Sequence, residues 1–277
     1  MTEQALVDLI ACAVRDSLAQ GAGANPEPGI RTQDAEGAVP PPASLVPEPA
    51  RAKSAVTSAR IGVGRAGARL KTATYLEFRA DHAAARDAVY NDVSADLLRR
   101  LGLPEIVTQC RDRDEFLTRP DLGRVFPEES RRAIKERNPN PCDVLVYTAD
   151  GLSSRAVEAN LENILPVIAD GVAQQGLKIG QPFFVKYGRV AGMEPIGELV
   201  GAKVVCVLIG ERPGLGSAES MSAYLAYAPT VGMPEANRTV VSNIYSGGLN
   251  AVEAGAFIAE LIGKIFAAKK SGVNLNS

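Results

Sequence analysis

Apolar positions along this chain follow two periods. Short runs rich in apolar residues mark strands over Asp143 to Tyr147, Pro182 to Lys186, Val204 to Ile209 and Ala223 to Ala228, and the unbroken run Val204 to Ile209 suits a strand buried on both faces. Between them, apolar residues recur at helical spacing. One such helix is expected over Phe78 to Leu101, with Ala83, Val89, Leu97 and Leu98 inward. Others are expected over Pro127 to Asn138, Arg155 to Gln175, Pro195 to Val200 and Val252 to Lys269. In the last, Ala256, Ile258, Leu261, Ile262 and Ile265 face inward. Ser153 is positioned to cap the Arg155 helix, with Glu158 near its first turn. Strands alternating with helices of this length imply βαβ units, hence an α/β fold with a mostly parallel sheet flanked by helices.

The N-terminal fifth is different. Leu6, Leu9, Ile10, Ala13, Val14 and Leu18 form one stripe, so residues 1–20 read as an amphipathic helix, with Thr2 as N-cap and Gly21 as stop. Residues 21–58 are rich in proline, alanine and glycine and cannot build a core, so they read as a disordered linker. The folded domain is expected over residues 59–277. A short helix on a tether is marginal in water until it packs on something. It is therefore either a docking peptide or a helix that folds back on its own domain.

Composition narrows the function. The 277 residues carry 30 basic and 32 acidic side chains, no tryptophan and few other aromatics. That balance argues against a nucleic-acid surface. No apolar run approaches the roughly 20 residues of a membrane span. The N-terminus lacks the basic and apolar regions of a secretory signal, which points to the cytoplasm. Cys12, Cys110, Cys142 and Cys206 have no metal-like spacing; Cys142 and Cys206, at or within strands, read as small buried thiols.

The candidate chemistry sits in turns. After Val204 to Ile209 the chain stops at GERPGLG, Gly210 to Gly216, with one acid and one base in a glycine-rich turn. Ligands of open α/β sheets bind at the carboxyl ends of such strands. Gly188 with Val190, Gly210 to Gly216, and Ser246 to Gly248 together frame one broad polar crevice for a large ligand. Gly62 to Gly67 matches G-x-G-x-x-G, but it follows the linker rather than a buried strand, so it is not a dinucleotide fingerprint. The only histidine, His82, beside Asp81, reads as structural. There is no serine elbow, His/Cys pair, HExxH or phosphate loop. Asp-x-His-x-x-Gly, by which many cobalamin domains supply a histidine to cobalt, is also missing. On its residues the chain is a better binder than catalyst.

Several stretches carry a resemblance. RIGVGRAG (Arg60 to Gly67), DHAAARDA (Asp81 to Ala88), GERPGLG, Arg238-Thr239 followed by Ser242-Asn243-Ile244, and KSGVN (Lys270 to Asn274) occur in collinear order. In these the chain resembles the small subunit of ethanolamine ammonia-lyase, from about Arg60 to the C-terminus. The resemblance implies a Rossmann-like domain that covers part of adenosylcobalamin at the interface with a large TIM-barrel subunit. The holoenzyme would convert ethanolamine to acetaldehyde and ammonia by a radical mechanism, with no catalytic residue on this chain. A cofactor bound with its own dimethylbenzimidazole on cobalt suits the missing histidine motif. The implied cofactor contacts are Val190 along the corrin, Glu211 accepting from a corrin amide, and Val240. The last is often cysteine in the family, so its contact here is backbone or van der Waals. The family also implies residence in a bacterial microcompartment, with residues 1–20 as a peptide that binds shell proteins.

Two other readings compete. One is a non-catalytic scaffold subunit that only stabilises a partner. The other is a nicotinamide-dependent dehydrogenase, resting on the Gly62 to Gly67 match alone.

Overall fold

The computed structural model describes residues 62–276. The expected N-terminal helix and linker, with Cys12, lie outside them. In chain order the elements are a two-residue-strand hairpin, β1 (Arg65–Ala66) and β2 (Arg69–Leu70), then α1 (Thr72–Tyr90), α2 (Ala95–Arg100) and β3 (Glu105–Val107). Next come α3 (Arg113–Thr118), α4 (Glu128–Arg137), β4 (Val144–Ala149), α5 (Ser154–Gln174), β5 (Phe184–Lys186), α6 (Met193–Val200) and β6 (Val204–Gly210). β7 (Met221–Tyr227), β8 (Thr239–Ile244) and α7 (Ala251–Ala268) complete the order.

The six-stranded sheet runs β3-β5-β4-β6-β7-β8. β3, β5, β4 and β6 pair in parallel; β6, β7 and β8 pair antiparallel. The sheet is thus α/β but mixed, and its parallel half is not in the 3-2-1-4-5-6 order of dinucleotide-binding folds. Expected βαβ alternation stops at β6, because the glycine-rich turn returns the chain directly as a hairpin.

Every residue of β4 and β6 is buried, as the unbroken apolar runs require of strands covered on both faces. Successive side chains alternate between two cores. Val144, Val146, Val204, Cys206 and Leu208 pack with Leu161, Ile164 and Ile168 of α5 and Ile258, Ile262 and Ile265 of α7. Leu145, Tyr147, Val205 and Val207 pack on the other face with Ile134 of α4 and Met193, Ile196 and Val200 of α6. Each fully buried isoleucine here contributes roughly 2 kcal/mol by transfer from water. One buried ion pair ties the second layer to the sheet edge. Arg238, just before β8, binds Glu194 of α6 with side chains 7% and 8% exposed, and Glu194 also accepts from the Gly232 N–H at 2.9 Å.

Two local expectations are corrected. The helix expected over Phe78 to Leu101 is two helices, broken at Asn91 to Ser94. Tertiary contacts override the helical period there: Asp92 binds Arg113 at 3.1 Å and Lys186 at 2.7 Å. Glu158, near the first turn of α5 as expected, accepts from the Ser94 N–H at 2.8 Å, opening α2. Ala83 and Ala256 are exposed, since the buried stripes run through Ala85 and Ala88 on α1 and through Ala254, Ile258 and Ile262 on α7.

Cys110, Cys142 and Cys206 are free and buried, as read for the last two. Burial pushes the Cys206 thiol up to about 12 and raises the other two, so all three are poor nucleophiles. Among the described residues no helix is long and apolar enough to cross a membrane.

Candidate functional site

The carboxyl ends of β4, β5 and β6 lie side by side, and the backbone there is packed too closely for side chains. A Cβ on Gly210 would lie 2.2 Å from the Ser153 carbonyl oxygen and 2.6 Å from that of Asp150. One on Gly151, whose φ is +55°, would lie 2.4 Å from the Gly210 carbonyl oxygen. The Leu152 N–H donates to that same oxygen at 3.1 Å.

β5 ends in a strained turn. Tyr187 has a φ of 59°, a left-handed conformation uncommon for a bulky residue. The Asp150 carboxylate, 1% exposed, accepts from the Tyr187 and Gly188 N–H groups at 3.0 Å each. Arg113 faces it at 3.1 Å. Burial pushes this carboxyl up, opposed by Arg113 and by the two N–H donors. The turn delivers Arg189 and Val190. Arg189 donates to the Phe116 carbonyl at 2.7 Å and stacks on its ring, and burial draws its pKa down.

The Glu211 to Ser220 turn is pinned to the start of α5. Ser153 caps α5 as expected, accepting from the Ala156 N–H at 3.1 Å, and its hydroxyl donates to the Ala218 carbonyl at 2.6 Å. The Asn160 amide donates to the Glu219 carbonyl at 2.9 Å. Glu211 therefore leaves β6 in a fixed direction. Its Oε2 accepts from the Ser220 hydroxyl at 2.7 Å; its Oε1 accepts from the Ser222 hydroxyl and from the Asn243 N–H at 3.2 Å. The Asn243 donor is available because Ser242 and Asn243 bulge opposite Ser222, with Asn243 at a φ of 59°. A carboxylate offers about four acceptor positions. Three are filled by protein, so Oε2 keeps one open.

These ends enclose a cavity of about 410 Å3. Val190, Glu211 and Val240 all line it, contributed by the α6 approach, the β6 turn and β8. Val240 is 46% exposed, unusual for a valine in a strand. Leu152 and Ile209 add apolar wall; Ser222, Ser242 and Tyr224 add polar wall. Gly188 and Gly210 meet here as expected, but Ser246 to Gly248 do not line it. His82 is exposed on α1, edge-on to Phe78 at 6.2 Å. The G-x-G-x-x-G match folds into the β1–β2 hairpin with Gly67 at its turn, not into a strand-to-helix phosphate loop. Among the described residues no group of His, Cys, Asp and Glu forms a metal site. Asp150, Arg113, Asn160, Ser220 and Ser222 escaped the sequence reading.

Comparison with known proteins places these observations. Residues 47–276 match the family model described as ethanolamine ammonia-lyase light chain (EutC). The ethanolamine ammonia-lyase small subunit of Clostridium tetani is 57% identical over 219 residues, 79% of this chain and 74% of the relative. That of Clostridium perfringens is 56% identical over 221 residues, covering 80% and 75%. That of Listeria monocytogenes is 52% identical over 236 residues, covering 83% of this chain and 80% of the relative.

Proposed function

Because the chain belongs to the ethanolamine ammonia-lyase light-chain family, we propose that it is the small subunit of an adenosylcobalamin-dependent lyase. It would convert ethanolamine to acetaldehyde and ammonia together with a large TIM-barrel subunit. One observation supports the cofactor reading above others: Val190, Glu211 and Val240, far apart in sequence, line one cavity. That cavity lies where ligands of Rossmann-like sheets bind, outside the carboxyl ends of parallel strands.

The donor set suits a corrin. Val190 and Val240 offer apolar contact to a flat macrocycle. The open acceptor of Glu211 suits a peripheral amide N–H, and the hydroxyls of Ser242 and Tyr224 can give or take a hydrogen bond. A cavity of about 410 Å3 accommodates part of so large a ligand, which fits a subunit that shares the cofactor with a partner. When bound, adenosylcobalamin supplies the cobalt–carbon bond cleavage that no side chain here can perform. This chain's part is to bind and orient. Glu211 is preset by three donors, so it forms its ligand contact without reorganising, and Val190 and Val240 exclude water on either side.

The test is a titration of adenosylcobalamin, followed by its visible spectrum, against this chain, the large subunit, and both. Retention of cofactor and release of acetaldehyde only by the pair is the expected result. Full binding and turnover by the large subunit alone would make this chain a scaffold. Within the pair, Glu211→Ala is expected to weaken cofactor binding by about 10- to 100-fold, as for loss of a hydrogen bond to a charged group. An unchanged dissociation constant would remove Glu211 from the site.

The same reading assigns residues 1–20 to microcompartment targeting. A chain lacking them should no longer co-purify with shell proteins while keeping full activity with the large subunit. Undiminished co-purification would end that assignment.

A further inference from the structure

We propose that Asp150 is a positioning residue for this cavity: by holding the Tyr187 and Gly188 N–H groups it sets the turn that presents Val190. The inference rests on the cobalamin reading of the site. The turn is fixed on every other side by the fold. Thr108 donates its hydroxyl to the Tyr187 carbonyl at 3.1 Å, and the Arg189 N–H donates to the Gly123 carbonyl at 2.9 Å. The Tyr187 ring stacks on Phe116 with centroids 6.0 Å apart. Gly188 has no room to shift, since a Cβ there would lie 2.8 Å from that of Ala149 and 3.0 Å from a Val185 methyl. What remains are two adjacent N–H groups aimed inward at one side chain, and only a carboxylate can accept from both with separate oxygens. A left-handed tyrosine persists only where its surroundings over-determine it.

The charge on Asp150 is matched rather than left alone. Arg113 reaches it at 3.1 Å and lies over the Tyr187 ring at 4.9 Å. The other Arg113 nitrogen binds Asp92, which Lys186 also holds at 2.7 Å. A chain of alternating charges thus runs from the surface break between α1 and α2 to the Tyr187–Gly188 turn beside the cavity. Val190 lies three residues beyond the clamped tyrosine, so a rotation at Tyr187 is carried straight into the wall.

Asp150→Asn tests this in the complex with the large subunit. The amide keeps one acceptor and turns an N–H2 toward the other donor, so cofactor binding should weaken roughly tenfold, as for one buried hydrogen bond lost. Ile164→Val, in the core on the opposite face of the sheet, controls for lost stability and should leave the dissociation constant unchanged. In the Asp150→Asn background, Val190→Ala should add less than twofold, because the wall is already displaced. Gly188→Ala, which moves the same turn with the carboxylate intact, should weaken binding likewise, and it decides the matter if Asp150→Asn does not fold. A constant within twofold of the parent in every folded variant of Asp150 and Gly188 overturns the inference, as does full additivity with Val190→Ala. If Glu211→Ala still weakens binding in that case, the cavity reading stands and only the positioning role falls. If Glu211→Ala is also silent, the cavity reading itself has failed.

Discussion

Replacing Gly210 by alanine should destabilise the chain by about 3 kcal/mol, the upper range for forcing extra atoms into a packed interior, and, on the cobalamin reading proposed above, abolish cofactor retention. The added methyl would meet the Ser153 and Asp150 carbonyl oxygens at 2.2 and 2.6 Å. Both belong to backbone, so no side chain can swing aside. Relief requires β4 and β6 to separate where the Glu211 turn begins, which carries Glu211 out of register with Ser222 and Asn243. A urea unfolding midpoint, together with the cobalamin spectrum of the complex, measures both consequences. Gly102→Ala is the comparison. Gly102 has a φ of +64° and open space around its Cβ position, so alanine there meets only the left-handed backbone penalty of about 1 kcal/mol. Equal midpoints for the two variants would mean that the strand ends are not in contact.

Arg238→Met should cost more, about 3–5 kcal/mol, the penalty for leaving one half of a buried ion pair uncompensated. Glu194 is 6% exposed overall, and apart from Arg238 it accepts only from the Gly232 N–H. Arg238 also donates toward Glu235 at 3.5 Å, but Glu235 is largely solvated and contributes little. The double variant Arg238→Met with Glu194→Met should recover most of the loss, because it removes the stranded charge. Thermal unfolding of the two singles and the double closes the cycle. A single variant as stable as the parent would show that the pair is solvated. Since Arg238 enters β8 two residues before Val240, the single variant should also loosen the cavity wall.

The sequence pattern announced the parts whose cause is local. Val204 to Ile209 is a strand because nothing polar interrupts it, and α5 begins after Ser153 because that side chain satisfies a free N–H at 3.1 Å. Elements with a distant cause were illegible. β3 is three residues with one buried side chain, too short for a period to show. β8 loses its alternation at the Ser242–Asn243 bulge, so its six residues show no strand period. The break between α1 and α2 depends on Arg113, Lys186 and Glu158, all far along the chain. One short-range signal was there to be used. Asp112 and Glu115 have capping-box spacing, and Asp112 does accept from the Glu115 N–H at 2.8 Å to open α3.

The site divides the same way. The GERPGLG turn is marked by composition and Val190 only by its place beside Gly188, whereas the corrin contact at Val190, and Val240 altogether, come with the family resemblance. A valine carries no chemical signature until its exposure in a strand, 46% at Val240, marks it as wall rather than core. The role of Asp150 appears only once β5 is laid beside β4, because the N–H groups it accepts from, those of Tyr187 and Gly188, lie 37 and 38 residues further along the chain.

The walls of the cavity come from residues spread between Gly151 and Ser242, with β8 supplying the last of them. During synthesis on the ribosome the parallel strands emerge first, yet they cannot close the pocket without the hairpin that follows. No nascent chain shorter than about Ser242 carries the full set of contacts, and α7, which covers β6 to β8, comes later still. On the cobalamin reading, this chain therefore offers its full wall to a large ligand only after Ser242 has emerged and β8 has paired with β7.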